Sequence, residues 1–238
     1  MLGLSRHAPV PDRPLRIRSV GGLGARGSRA FTLLETALAT VIIGVGVLAL
    51  IEAHASFTRH NRYSSSAMTG AYLANEIRER MRGLPRHDPV NGLRIDRGTN
   101  PPTVRGWGRE TGETSVFRFN DVDDFDGVTF GNGGQFPGPI DCTGQTINEI
   151  SPSGGAVTDD RGAPLSMRGW SQTVTVQKVD PFNFAQVRDR GYEMAPDLPS
   201  FAGVAVDQFA LRVTVVVRYQ DPGTLEVQEM GRLSWIVP

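Results

Sequence analysis

The hydrophobic pattern of the chain begins with one long apolar run, from Phe31 to Ile51. The run has 21 residues and a single charge, Glu35, and a helix of about 20 apolar residues is long enough to cross a bilayer. A carboxylate inside such a segment costs about 2.5–3.5 kcal/mol on insertion scales. The run therefore predicts a transmembrane helix over residues 31–51 and raises the question of what its acid does.

A helical pattern continues beyond the apolar run. Apolar and small residues recur at spacings of three and four, which places them on one face of a helix: Tyr63, Ala67, Gly70, Ala71, Ala74, Ile77 and Met81. Gly83 followed by Pro85 is a strong stop signal. We predict one helix over residues 31–82, roughly 78 Å long at 1.5 Å per residue, whose second half packs on a domain.

Alternating apolar positions indicate β-strands near the C-terminus. Trp170, Val174 and Val176 share one face of a strand, and a longer alternation follows at Leu211, Val213, Val215, Val217 and Tyr219. A turn at residues 221–223 leads to apolar positions at Leu225, Val227, Leu233, Trp235 and Val237. These patterns predict an antiparallel sheet over residues 169–238, covered by the helical stripe, with a loop-rich insertion over 83–168. The expected fold class is α+β.

Charge is unevenly distributed, although the net formal charge is zero. Residues 1–30 hold six of the 25 basic residues and one of the 25 acidic ones, which leaves 19 basic and 24 acidic residues from residue 31 onward. The basic head predicts a cytoplasmic leader peptide that is removed, with everything after the apolar helix on the other side of the membrane. The acidic remainder predicts no nucleic-acid partner, since that binding needs a clustered basic surface.

Cysteine and histidine limit the chemistry that the chain can perform. Cys142 is the only cysteine and excludes an intrachain disulfide. No histidine follows His87, so we exclude Ser–His–Asp, Cys–His and histidine–zinc chemistry from a C-terminal domain. No pair of residues has a recognisable catalytic spacing, and we predict that the protein is not an enzyme.

The N-terminal region resembles the type IV prepilin and pseudopilin family. The basic leader, the small residue Ala30 before Phe31, and Glu35 five residues after that junction match the family's N-terminal signature. The stretches "FTLLETALATVIIGVGVLALIEAHASF" and "LANEIRERM" are most similar to minor pilins of the PilV type. The resemblance covers residues 27–82 and implies a pilin-like fold, a long N-terminal helix packed on an antiparallel head.

The resemblance also implies roles and partners. Prepilin peptidase would cut between Ala30 and Phe31, Phe31 would be N-methylated, and Glu35 would pair with the new amino terminus of a neighbouring subunit. The implied partners are this peptidase and N-methyltransferase, other pilin or pseudopilin subunits, and the inner-membrane assembly platform. The implied location is the bacterial inner membrane, single-pass with a periplasmic head, and then a pilus or pseudopilus. The family usually has Gly where this chain has Ala30.

Other interpretations of the same residues stay open. Within the class, the alternative is a pseudopilin of type II secretion, and outside it a stand-alone membrane-anchored binding module. Glu35 could also be a stray acid in a plain single-pass anchor. Residues 44–49, "GVGVLA", match GxGxxA, but a dinucleotide site needs a preceding strand, and small residues within an apolar helix favour close helix packing.

An acidic stretch, "NDVDDFDG" at residues 120–127, is the one candidate metal site. Its aspartates are Asp121, Asp123, Asp124 and Asp126, and clustered carboxylate oxygens suit calcium. The spacing differs from an EF-hand, because Phe125 occupies a ligand position. The alternative is an acidic surface turn in which the aspartates cap the local backbone. No other cofactor is predicted.

Overall fold

A computed structural model describes residues 32–238. The described chain contains one long helix and seven strands, which are α1 (Leu33–Met81), β1 (Arg94–Asp96), β2 (Thr103–Arg105), β3 (Thr129–Gly131), β4 (Trp170–Asp180), β5 (Asn183–Val187), β6 (Leu211–Gln220) and β7 (Val227–Val237). Short 3₁₀ turns lie at Val116–Arg118 and Asp123–Phe125. The chain divides into two units, residues 1–54 and 55–238.

In the first unit, the described residues belong almost entirely to α1. Every large apolar side chain between Leu33 and Ile51 is exposed, with exposed fractions between 49% and 88%. By length and composition, α1 is the one helix of the described chain that could cross a membrane. An exposed apolar surface of this size needs a cover outside the single chain, either lipid or another protein.

In the second unit, four strands form an antiparallel sheet in the order β3–β4–β6–β7. β5 folds back on the end of β4, and β1 and β2 form a separate two-stranded ribbon. The α+β class and the antiparallel hairpin of β6 and β7 are therefore confirmed. Residues 83–168 also contribute to the sheet, because β3 pairs with β4 at its edge. The sheet therefore extends beyond the predicted range of 169–238.

The end of α1 contributes to the hydrophobic core of this unit. Its buried residues are Gly70, Leu73, Ala74, Ile77 and Met81, and the last four belong to the same apolar cluster as the inward side chains of β4 and β6. The predicted stripe is wrong at two positions, because Tyr63 and Ala71 are exposed. The fully buried part of α1 begins at Gly70. Before it, Ala67 is half-buried and Tyr63 lines an open cleft beside Tyr219 and Met230.

Polar residues also lie on the inward face of β4. Gln172 is fully buried and uses both ends of its amide: Nε2 donates to Leu73 O at 2.8 Å and to Ile140 O at 3.0 Å, and Oε1 accepts from Ile140 N at 2.8 Å. These hydrogen bonds connect α1, β4 and the loop that contains Ile140. Because all three groups are buried, each needs its partner inside the protein.

A bulge in β7 marks the closest approach of helix and sheet. The pairing with β6 passes from Gly231 directly to Glu229, so Met230 is the extra residue, and its side chain is buried. The bulge shifts the alternation, which is why the predicted inward position Val227 is exposed instead; Leu225 is exposed because it precedes the strand. Leu225 lies in the turn before β7 with φ of 60°.

Candidate functional site

Glu35 lies in the first turn of α1, next to the residue that caps the helix. Thr32 Oγ1 accepts a hydrogen bond from Glu35 N at 3.3 Å, and Thr32 O accepts from Thr36 N at 3.1 Å. The spacing Thr-x-x-Glu is that of a capping box, and a carboxylate in the first helical turn suits the helix dipole. Glu35 is exposed. The predicted cleavage site, Ala30 and Phe31, lies outside the described residues.

The acidic stretch turns inward, contrary to the surface turn weighed above. Val122 N donates to Pro85 O at 2.9 Å, which ties the stretch to the segment after α1. Phe125 is fully buried and packs edge-on against Phe119, with ring centroids 5.0 Å apart. The buried side chains of Val122 and Phe125 therefore hold the neighbouring aspartates inside the protein. Asp121, Asp123 and Asp124 are all fully buried.

Two of the four aspartates have partners of their own. Asp126 accepts hydrogen bonds from Val176 N at 2.9 Å and Trp107 Nε1 at 3.0 Å, and forms an ion pair with Arg190 at 2.5 Å. Asp123 accepts from Gly108 N at 2.9 Å and forms a short hydrogen bond with Nδ1 of His87. These two carboxylates connect the stretch to the rest of the head.

The other two aspartates meet a glutamate from an earlier part of the chain. One carboxylate oxygen from each of Asp121, Asp124 and Glu110 lies within 4.8 Å of one from each of the others. We call these three residues the carboxylate cluster. Sequence reasoning missed Glu110, because ten residues and a 3₁₀ turn separate it from Asp121 and no motif spacing connects them.

Burial makes ionisation of the carboxylate cluster unfavourable. It raises the pKa of Asp121 to about 8, together with the nearby charge of Asp123. It raises the pKa of Asp124 to about 7, together with the charge of Asp121. The pKa of Glu110 also rises to about 8, through burial, a hydrogen bond with Glu113 and the charge of Asp124. At neutral pH the cluster therefore needs protons or a cation to balance it.

One histidine belongs to the head, although no histidine follows residue 87 in the sequence. His87 lies inside the head, 7% exposed, and its ring contacts Asp123 and Trp107. Burial and the neighbouring Arg86 lower the pKa of His87 to about 4, while its Nδ1 forms the short hydrogen bond with Asp123. Its Nε2 has no hydrogen-bond partner among the described residues. A histidine–aspartate pair is present in the head after all, because the segment after α1 folds into it.

The fold and the site define an α+β protein with one candidate membrane-spanning helix and a buried cluster of carboxylates in its head. No protein-family model, curated protein or solved structure matches this chain.

Proposed function

We propose that this chain is a type IV pilin-like subunit, most like a PilV-type minor pilin. It would be processed by prepilin peptidase and assembled through its N-terminal helix into a filament or its tip. Its head would lie in the periplasm of a bacterium, with α1 crossing the inner membrane before assembly. Under this proposal the protein is a substrate of processing enzymes and performs no catalysis itself.

The proposal rests on one observation: α1 exposes its apolar side chains in its first half and buries them at its end. From Leu33 to Ile51 its apolar side chains are all exposed, whereas from Gly70 to Met81 it supplies part of a packed core. One helix thus anchors a folded head and offers an uncovered apolar surface. A bilayer covers such a surface before assembly, and the equivalent helices of neighbouring subunits cover it afterwards.

Glu35 has two explanations that make opposite predictions. If it pairs with the amino terminus of a neighbouring subunit, its negative charge is required. If it only caps α1, an uncharged glutamine serves as well, because glutamine also occupies the fourth position of a capping box. The second explanation corresponds to a plain single-pass anchor.

The Glu35→Gln variant separates these explanations. We expect Glu35→Gln and Glu35→Ala to be processed normally and to be lost from filaments sheared off the cell surface. The matched control is Glu52→Gln, the next acid along α1, which we expect to assemble as the wild type does. Normal assembly of Glu35→Gln would overturn the assembly role and leave capping as the function of Glu35.

The mature N-terminus tests the processing step. Mass spectrometry of the purified protein should find a chain that begins with N-methylated Phe31. An unprocessed chain, or one cut elsewhere, would instead support a stand-alone anchored module. Deletion of the gene then distinguishes the two members of the class, because loss of surface pili indicates a minor pilin and loss of protein secretion indicates a type II pseudopilin.

A further inference from the structure

The carboxylate cluster, Glu110, Asp121 and Asp124, lies in the head and is independent of the proposed assembly function. Its two aspartates are fully buried, and their side chains are fixed by the backbone. Asp121 Oδ1 accepts from Asp124 N at 3.0 Å, while Asp124 Oδ2 accepts from Asn120 N at 2.8 Å and from Asp121 N at 3.3 Å. Each aspartate thus uses one oxygen for the loop and keeps the other free.

The free oxygens point to a missing ligand. Asp121 Oδ2, Asp124 Oδ1 and both oxygens of Glu110 are buried and accept no hydrogen bond from an amide, hydroxyl or cationic group of the described residues. Their side-chain neighbours Asp123 and Glu113 are themselves carboxyl groups. A buried acceptor without a donor is unfavourable, and a buried carboxylate without a counter-charge more so. No ion pair within the described part of the chain includes a member of the cluster.

We propose that the carboxylate cluster binds a divalent cation, and that the cation is calcium. The three converging ligands are all carboxylate oxygens, the donor type that calcium prefers. Two oxygens on one calcium lie no more than about 5 Å apart, twice the Ca–O distance, and oxygens of the three carboxylates all lie within 4.8 Å of one another. Calcium accepts such an irregular set of oxygens, whereas magnesium demands near-ideal octahedral geometry and usually keeps several waters.

A cleft of about 350 Å³ borders the carboxylate cluster at Glu110, with Glu113 and Asp126 also in its lining. The free oxygens of the three carboxylates supply up to four of the 6–8 oxygens that calcium takes, and water would complete the set. The bound ion would join the segment that carries Glu110 to the loop that Val122 and Phe125 anchor in the head.

Calcium titration of the full chain in detergent tests the proposal. After treatment with a chelator, the head's melting temperature should rise by about 5–10 °C when free calcium reaches 100 times its dissociation constant. Magnesium at the same concentration should produce a smaller shift. Equilibrium dialysis with radioactive calcium should find one tightly held ion per chain.

Isosteric variants assign the ion to its ligands. Asp124→Asn and Glu110→Gln should each lose most of the calcium shift, and the matched control Asp160→Asn, an exposed loop aspartate, should keep it. Should Asp124→Asn fail to fold, the Glu110 variant and the wild-type stoichiometry decide the question. The proposal is overturned if wild-type protein neither binds calcium nor melts higher with 10 mM calcium, because the carboxylates then share protons. Equal loss of the shift in Asp160→Asn would also overturn it.

Discussion

The contact between α1 and β7 predicts that alanine at Gly70 destabilises the head, although alanine is the better helix former. A Cβ atom at Gly70 would lie 2.7 Å from both the carbonyl carbon and the oxygen of Met230. Carbon atoms pack favourably at 3.5–4.0 Å, so the two backbones would have to separate by roughly 1 Å. Neither contacting group can rotate away, because both belong to the main chain.

The expected magnitude follows from two opposing terms. Overpacking of a core costs about 1–3 kcal/mol, and a clash between backbones lies toward the upper end of that range. Alanine recovers about 1 kcal/mol through its higher helix propensity. We expect Gly70→Ala to lower the free energy of unfolding by about 1–2 kcal/mol, which corresponds to a fall in melting temperature of about 2–8 °C for a unit of this size.

Thermal unfolding followed by circular dichroism measures this loss. The control is Asn75→Ala, an exposed position five residues further along α1, where propensity acts alone and the melting temperature should rise slightly. Gly231→Ala should reproduce the loss, since a Cβ atom there would lie 2.8 Å from the carbonyl carbon of Gly70. A melting temperature of Gly70→Ala at or above that of the wild type would refute the close approach of α1 and β7.

Two further measurements test the head and its location. Burial raises the pKa of Asp121 to about 8 and that of Asp124 to about 7. Without calcium, these two carboxyl groups therefore hold more protons in the folded head than in the unfolded chain between about pH 4 and 8. The free energy of unfolding in calcium-free buffer should fall as pH rises from 6.5 to 8. Urea midpoints with and without calcium test this, and a flat profile in chelator would contradict the burial of these acids. Cys142 is exposed and is the only cysteine. In cells with a permeabilised outer membrane, a membrane-impermeant maleimide should therefore label it from the periplasmic side, and Cys142→Ser is the control. Labelling only after lysis would place the head in the cytoplasm.

The sequence predicted those strands and helix ends whose hydrophobic period continues without interruption. The strands around Val174 and Val215 and the end of α1 near Gly83 follow from alternation and a stop signal, and the structure has them. The predictions were wrong where tertiary contacts interrupt a period. The bulge at Met230 moved Val227 to the outside, and Tyr63 borders an open cleft next to the sheet instead of the packed core.

The sequence indicated the aspartates of the candidate metal site but not its glutamate, Glu110. Four aspartates in seven residues drew attention to the loop, but their polarity favoured an exposed turn as much as a site. The burial of Phe125 and the hydrogen bond from Val122 N to Pro85 O show that the loop is buried and not an exposed turn. Both contacts depend on distant parts of the fold. Glu110 and His87 were missed for the same reason, because folding brings them to the loop from elsewhere in the chain.

Two features of this chain contradict the general rule that apolar groups are buried and charges are exposed. The start of α1 exposes apolar side chains from Leu33 to Ile51, and the head buries Asp121 and Asp124 with free oxygens. Both arrangements are unfavourable for an isolated chain in water, and each becomes favourable with a different partner. Under the two proposals, a bilayer or neighbouring helices would cover the first, and a small cation would balance the second. Since the two lie in separate units, loss of the cation should weaken the head and leave the proposed anchoring by α1 unchanged.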